Sequence, residues 1–197
     1  PYTTLFRSVA MDVCKGQQYD MEFESRNDVT EEEYIHMIYL KTSVLIAGSL
    51  RHGALIAGAP AHEYNALYDF GGYLGLVFQL QDDFLDVYGD VAEFGKKIGG
   101  DILENKKTYL LIKALEQAGE EEKARLWEWL NNKNADPGEK IKAVTEIYNR
   151  LQVPELTRCT IDLYLEKSRE ALRKVEVPEE RKAGFYEMID YICERKK

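Results

Sequence analysis

The sequence predicts an all-α protein, and three observations support this fold class. Apolar residues recur at helical spacing, while the apolar-polar alternation of a half-buried strand is missing. Four of the five prolines stand where a predicted helix begins. The 197 residues are 45% hydrophobic and 31% charged, the composition of a folded globular protein with enough chain to bury a core.

The first helix with a clear start follows Thr30, which forms a capping box with Glu33. A single face of this helix is apolar except for one lysine, and it comprises Tyr34, Met37, Ile38, Lys41, Leu45 and Gly48. A second helix is predicted behind Pro60, from about His62 to Tyr88. Its apolar positions are Leu67, Phe70, Leu74, Val77 and Phe78.

The remaining helices are indicated by their ends. A third is predicted from about Lys106 to Ala118, stopped by Gly119. Lys107 would then stand about 100° from Lys106 and face solvent. The tetrapeptide Asp136-Pro137-Gly138-Glu139 opens a fourth, with Asp as N-cap and Pro at the first helical position. Pro154 and Pro178 introduce two more, at about 155–175 and 178–195. We therefore expect one domain of six or more helices, or part of one.

Composition excludes several classes of function. The net charge of −9 argues against nucleic acid as a partner, because phosphate backbones require clustered Lys and Arg. The sequence contains no run of 18 apolar residues, so it predicts no membrane span. The three cysteines, Cys14, Cys159 and Cys193, lack CxxC spacing, which favours a reducing cytoplasm over a disulfide framework or a zinc ribbon. The segment 89–97 (GDVAEFGKK) has neither the spacing nor the Ser/Thr of a phosphate-binding loop.

The strongest chemical signal lies near the end of the second helix. Gln79, Asp82, Asp83 and Asp86 stand at i, i+3, i+4 and i+7 and share one helical face. Carboxylates at this spacing repel one another, and an oxygen-rich face of this kind suits Mg²⁺. The alternative is a solvated acidic face. Three glycines on the same helix predict either a groove for a long ligand or close helix packing: Gly71, Gly72 and Gly75.

Lysines occur beside this acidic face. The segment 95–108 (GKKIGGDILENKKT) carries four of them, and Gly99-Gly100 permits a tight backbone there. A diphosphate held between Mg²⁺ and lysines has cations on both sides, although a lysine-rich surface loop is the simpler alternative. Lys41 interrupts an apolar face, so either it and Thr42 line the same cavity or its ammonium reaches to the rim.

Together these residues resemble the motifs of a known enzyme family. Phe78-Gln79-x-x-Asp82-Asp83-x-x-Asp86 resembles the second aspartate-rich motif of the trans-isoprenyl diphosphate synthases, of the farnesyl and geranylgeranyl type. Four further segments resemble motifs of these enzymes in the same order: Gly16-Gln17 with Asp20, the pair Lys41-Thr42, Lys97-Ile98-Gly99-Gly100-Asp101 through Lys106, and the basic tail 191–197. Five ordered motifs are far more specific than one.

The resemblance implies a fold and an activity. The fold is an all-α bundle around a deep central cavity, in a cytoplasmic enzyme that is usually a homodimer. The activity is Mg²⁺-dependent, head-to-tail (1′-4) condensation of an allylic diphosphate with isopentenyl diphosphate in isoprenoid biosynthesis, by a short-chain trans-prenyltransferase.

The same resemblance assigns roles to single residues. Asp82 would bind Mg²⁺ directly, with Asp83 and Asp86 supporting it. Lys41, Lys97 and Lys106 would contact diphosphate. The oxygens of Thr42 and Gln79 would face the developing cation. Weaker candidates are Asp20, Asp101, Arg195 and Lys197.

The sequence departs from the family at its start. The first aspartate-rich motif, its arginine pair and the isopentenyl diphosphate residues are not found. Residues 1–8, PYTTLFRS, match the conceptual translation of a common sequencing adapter. We therefore expect 1–8 to be an artefact, and 9–197 to be the C-terminal part of one synthase domain whose N-terminal helices are missing. This chain alone would be inactive, and its product length and allylic substrate are not readable.

Three other functions stay open. A terpene cyclase shares the fold and the ionisation chemistry, but the second aspartate motif followed by this lysine loop disfavours it. A catalytically silent subunit of a heteromeric synthase is disfavoured by the intact Lys41, Lys97 and Asp82. A purely structural bundle leaves the five motifs unexplained.

Overall fold

The structure is a computed structural model that describes residues 2–89 and 98–194. Within these ranges it contains helices and no β-strand, so the predicted all-α class is confirmed. The α-helices of the described residues are α1 (Tyr2–Glu24), α2 (Glu31–Ile38), α3 (Val44–Ile56), α4 (Ala61–Tyr88), α5 (Gly100–Leu103), α6 (Tyr109–Gln117), α7 (Glu120–Asn131), α8 (Pro137–Arg150), α9 (Val153–Arg173) and α10 (Glu179–Glu194). None of these helices has the length and the apolar character needed to cross a lipid bilayer.

The predicted helix starts at Thr30 and Asp136 are confirmed by their capping bonds. The Glu33 N–H donates to Thr30 Oγ1 at 3.2 Å, and the Thr30 N–H donates to Glu33 Oε2 at 2.9 Å. Asp136 Oδ1 accepts from the Glu139 N–H at 3.0 Å. Each bond satisfies a backbone donor that the helix itself leaves open.

The third predicted helix starts later than expected. Thr108 is its N-cap, so α6 begins at Tyr109 and leaves Lys106 and Lys107 in the preceding turn. Gly119 follows the C-cap residue Ala118 and is itself the N-cap of α7.

A π-helical segment, Tyr39–Ser43, joins α2 to α3, and its wider turn is closed by the Val44 N–H, which donates to Tyr39 O. The extra residue rotates the helix that follows. Val44 and Ala47 therefore face the core, with 2% and 0% of their surface exposed, whereas Leu45 is 54% exposed. The predicted place of Leu45 on the apolar face is wrong for this reason.

The chain divides into two compact units. The first unit comprises residues 2–22, 35–79 and 161–194, and the second unit comprises 23–34, 80–89 and 98–160. The core of the first unit is formed by α4, α9 and α10, with Phe70, Leu74, Leu172 and Ile189 fully buried. The core of the second unit is formed mainly by α6, α7, α8 and the start of α9, around Leu110, Leu126, Val144 and Val153.

Candidate active site

In the first unit, the π segment carries the Lys41-Thr42 pair. Lys41 Nζ lies 2.6 Å from Asp20 Oδ2 on α1, and these side chains are 22% and 26% exposed. Lys41 is thus partly buried and paired, as a lysine on an apolar face requires. π-Helical turns are rare and frequently occur at functional sites, which fits the predicted role of this pair.

Gly16 explains how α1 comes so close to this lysine. A Cβ at Gly16 would lie 2.3 Å from the Lys41 nitrogen and 2.6 Å from its Cα. The two backbones are therefore in direct contact. One helical turn beyond Gly16, Asp20 lies at the right height to meet the lysine side chain.

Thr42 contacts the other helix of the predicted site. Its hydroxyl donates to Gln79 Oε1 on α4 at 3.2 Å, so the structure brings these two predicted residues together. This bond orients the Gln79 amide with its oxygen toward Thr42.

The glycines of α4 pack against the same segment. A Cβ at Gly75 would lie 2.6 Å from Ser43 Cα, and one at Gly71 would lie 2.8 Å from Ala47 Cα. A Cβ at Gly72 would lie 3.1 Å from the Tyr39 ring. The prediction that these glycines line a ligand groove is wrong, because facing backbone and side-chain atoms already fill the space. Their role is close helix packing, which was the alternative.

In the second unit, Asp83 is enclosed by protein. It is 2% exposed, and its Oδ2 accepts hydrogen bonds from the Tyr34 hydroxyl and, at 3.0 Å, from the Tyr109 N–H. Burial raises the pKa of the Asp83 carboxyl to about 6, while both hydrogen bonds act in the opposite direction. Asp83 thereby links α4 to α2 and to the start of α6.

Asp86 meets the segment that contains the lysine loop. Its Oδ2 accepts from the Asp101 N–H at 3.0 Å, and its carbonyl oxygen accepts from the Gly99 N–H at 2.6 Å. Gly99 adopts φ of 81°, so the tight backbone expected at Gly99-Gly100 is confirmed. Burial and then the Asp101 charge raise the pKa of Asp86, and Asp82 adds to the effect. Lys106 Nζ lies 3.3 Å from Asp101 Oδ1.

Four further basic residues had predicted positions: Lys107, Lys97, Arg195 and Lys197. Lys107 is half-buried, and desolvation lowers its pKa, so its predicted exposure to solvent is wrong. The reason is that Lys107 precedes the helix on which the prediction placed it. Lys97, Arg195 and Lys197 lie outside the described residues.

The candidate metal ligands are the carboxylates around Asp86. Across residues 2–89 and 98–194, no three His, Cys, Asp or Glu side chains form a ready-made metal site. The carboxylates of Asp82, Asp86 and Asp101 are nevertheless close enough to raise the pKa of Asp86 by mutual repulsion. Such oxygen donors fit Mg²⁺, which uses one or two carboxylates and fills its other positions with water and substrate phosphate.

Two residues of this network, Tyr34 and Tyr109, were missed from the sequence. Tyr34 was assigned only to an apolar face, although a buried tyrosine hydroxyl needs a partner. Tyr109 donates through its N–H to Asp83 and through its hydroxyl to Glu31 Oε1 at 2.8 Å. The sequence signal for the Tyr109 N–H is its place at a helix start, because the first backbone N–H groups of a helix have no acceptor within that helix.

Comparison with known proteins identifies the family. The sequence model of the family described as polyprenyl synthetase matches residues 1–148. The chain belongs to the polyprenyl synthetase family. The family resemblance drawn from the five motifs is therefore confirmed.

Curated polyprenyl synthetases are similar to this chain but longer. The short chain isoprenyl diphosphate synthase of Methanothermobacter thermautotrophicus is 40% identical over 184 residues, covering 93% of this chain and 55% of the relative. The geranylgeranyl diphosphate synthase of Sulfolobus acidocaldarius is 44% identical over 135 residues, covering 68% of this chain and 41% of the relative. The chain thus spans about half the length of these relatives.

Solved polyprenyl synthetases share the fold. The crystal structure of a geranylgeranyl pyrophosphate synthase superposes with a TM-score of 0.91 at 38% identity, covering all of this chain and 61% of the other. The geranylgeranyl pyrophosphate synthase of Corynebacterium glutamicum, solved with isoprenyl diphosphate and magnesium, gives 0.88 at 30% identity, with 98% and 55% covered.

Proposed function

We propose that the complete gene product containing this chain is a short-chain trans-prenyltransferase of isoprenoid biosynthesis. It condenses an allylic diphosphate with isopentenyl diphosphate, head to tail (1′-4), and requires Mg²⁺. The observation that carries the proposal is the network in which Asp86, Asp101 and Lys106 meet, because it joins the aspartate-rich motif to the lysine loop. The names of the similar proteins support the same reaction.

Asp82 is the proposed direct ligand of Mg²⁺, with Asp86 and Asp83 supporting it or its waters. When bound, Mg²⁺ neutralises the charge of a diphosphate leaving group. Asp83 supports this arrangement from inside the protein, because its Oδ2 accepts from Tyr34 and Tyr109 and so fixes the helix turn that carries Asp82.

Lys41, Lys97 and Lys106 supply positive charge to the diphosphate. The allylic C1–O bond breaks, and its electron pair leaves with the diphosphate. The C3=C4 double bond of isopentenyl diphosphate then attacks the allylic cation, forming the new C1′–C4 bond. The positive charge is then on C3, and loss of a proton from C2 to the released diphosphate forms a C2=C3 double bond. No protein nucleophile is needed, so catalysis rests on positioning and charge stabilisation.

Thr42 and Gln79 supply oxygen dipoles toward the cation in this scheme. Their hydrogen bond at 3.2 Å supports the proposal, because it fixes the orientation of the amide before substrate arrives. A homodimer in the cytoplasm completes the proposal. The location is supported by three free, exposed cysteines, since thiols in this state suit a reducing compartment.

The test is Asp82→Asn in the complete gene product, assayed with dimethylallyl and isopentenyl diphosphates at several Mg²⁺ concentrations. Removing one charge from a direct ligand should lower kcat on the order of 10²–10³. Excess Mg²⁺ should restore part of this loss by mass action.

Asp69→Asn is the matched control. It makes the same chemical change at an exposed aspartate of the same helix, α4, and should leave kcat unchanged. Equal effects of the two variants would contradict the role of Asp82. A wild-type protein that forms no product, yet activates a second subunit, would instead identify a silent partner of a heteromeric synthase.

A further inference from the structure

Lys140 is a buried cation outside the predicted site. It lies in the first turn of α8 and is only 6% exposed. Near a helix N-terminus a positive charge opposes the helix dipole, and a buried lysine is rare without partners. Desolvation lowers its pKa accordingly. A lysine in such an unfavourable place calls for a specific role.

Its ammonium group donates to the turn just before Lys106. Lys140 Nζ lies 2.6 Å from Asn105 Oδ1 and 3.5 Å from the Leu103 carbonyl oxygen. Both acceptors are neutral oxygens. The Asn105 amide also donates through Nδ2 to the Leu130 carbonyl oxygen at 2.9 Å, so both ends of this amide are held.

Asn105 has an unusual backbone. Its φ of 55° is left-handed, which costs energy for a residue other than glycine and is tolerated best by Asn and Asp. It ends α5 in a Schellman motif, in which the Asn105 N–H donates to Ile102 O at 3.2 Å and the Lys106 N–H donates to Asp101 O at 3.0 Å. This reversal of the chain is what brings Lys106 back to 3.3 Å from Asp101.

We infer that Lys140 is a positioning residue for the turn at residues 103–106. It holds Asn105 in the left-handed turn and thereby fixes Lys106 where the proposed reaction needs a cation for diphosphate. The inference rests on the proposed function. Lys140 touches neither substrate nor metal in this scheme, and it acts through Asn105.

The test compares Lys140→Met with Lys142→Met in the complete gene product. Both changes remove an ammonium group from α8, but Lys142 is exposed. Lys140→Met should speed amide hydrogen exchange at residues 103–108 and weaken binding of inorganic diphosphate with Mg²⁺, measured by calorimetry, by about tenfold. Lys142→Met should change neither, and Lys140→Arg should recover part of the affinity because it keeps the donors.

A double variant separates positioning from general stability. If Lys140 acts through Lys106, Lys140→Met should weaken diphosphate binding no further once Lys106→Ala is present. Asn105→Gly, which permits the same backbone without the amide, should likewise leave Lys140→Met with little further effect. Additive losses, or unchanged exchange at residues 103–108, would overturn the inference.

The outcomes also separate this inference from the proposed function. Diphosphate binding without product formation refutes the condensation, and the Lys140–Lys106 coupling is then judged on binding alone. Product formation with diphosphate binding insensitive to Lys140→Met refutes the inference and leaves the condensation intact. A wild-type protein that binds no diphosphate with Mg²⁺ refutes both.

Discussion

Replacing glycine by alanine should stabilise the protein at Gly53 but not at Gly16, because at Gly16 the new methyl group meets the backbone of Lys41. In Gly16→Ala the new Cβ would lie 2.3 Å from the Lys41 nitrogen, whereas ordinary contact begins at 3.4 Å. The obstructing atoms belong to the backbone and cannot rotate away. Helix α1 must therefore move by about 1 Å, the difference between these two separations. Overpacking of this kind costs about 1–3 kcal/mol.

Gly53 is the matched control within α3. A Cβ there meets nothing within 4 Å, and the residue is exposed. Gly53→Ala should therefore show only the helix propensity gain of about 1 kcal/mol. For a chain of this size each kcal/mol moves the melting temperature by about 2–4 °C.

Both glycines lie inside helices, so the gain of about 1 kcal/mol applies to both, and only Gly16→Ala also carries the overpacking cost. Thermal and urea denaturation of the 197-residue chain should place Gly53→Ala above wild type and Gly16→Ala at or below it. A Gly16→Ala variant that is stabilised as much as Gly53→Ala would refute the close contact between α1 and the π segment. It would also remove the explanation of how Asp20 reaches Lys41.

Four further predictions concern other parts of the molecule. Because burial raises the pKa of Asp83 to about 6, its contribution to stability is fully present below about pH 4 and is lost as pH rises through about 6. Relative to wild type, Asp83→Asn should therefore gain about 3 kcal/mol of stability between pH 4 and 7.5 in urea titrations with EDTA. If the free energies of unfolding of wild type and Asp83→Asn changed equally with pH, this prediction would be contradicted. Tyr34→Phe should lose about 1–3 kcal/mol at pH 7.5, because Asp83 loses a hydrogen-bond donor. Thr30→Ala should lose about 1 kcal/mol while Thr30→Ser loses little, since serine also caps. The 197-residue chain alone should form no product from dimethylallyl and isopentenyl diphosphates, while the complete gene product should.

The helices were predictable where their ends carry specific chemistry. The capping box at Thr30 and the Asp136-Pro137 start each leave a signature of residue types at fixed offsets, and the long apolar period of α4 leaves another. The π segment has no such signature. Tyr-Leu-Lys-Thr-Ser is compatible with an ordinary helix, and only tertiary contacts select the wider turn. The prediction therefore placed Leu45 on the apolar face, whereas the structure buries Val44 there.

The aspartate-rich motif shows a similar limit. Helical spacing correctly placed four polar residues on one face, but that face is broad, because Asp82 and Asp83 stand about 100° apart. Spacing cannot tell which edge borders the core. The structure buries Asp83 against Tyr34 and Tyr109 and leaves Asp82 half-buried. Burial thus separates two carboxylates that are adjacent and chemically identical in sequence.

The glycines of the first unit can be understood through the π segment that they surround. A glycine inside a helix lowers its stability by about 1 kcal/mol relative to alanine, and α1 and α4 both contain such glycines. Gly16 lies against the backbone of Lys41, and Gly75 lies against Ser43. Glycines on two separate helices thus contact consecutive parts of one widened turn. Because these glycines have no Cβ, their two helices can approach the widened turn closely.

The gain from this arrangement is the placement of Lys41 and Thr42. With α1 in contact, Asp20 pairs with Lys41 at 2.6 Å, and with α4 in contact, Gln79 accepts from Thr42 at 3.2 Å. An ordinary α-helical turn would rotate these two side chains relative to the helices on either side, and both contacts would be lost. The destabilising glycines and the rare turn therefore form a single device. The arrangement lowers stability, but it holds the Lys41 ammonium and the Thr42 hydroxyl in the positions that the proposed reaction requires.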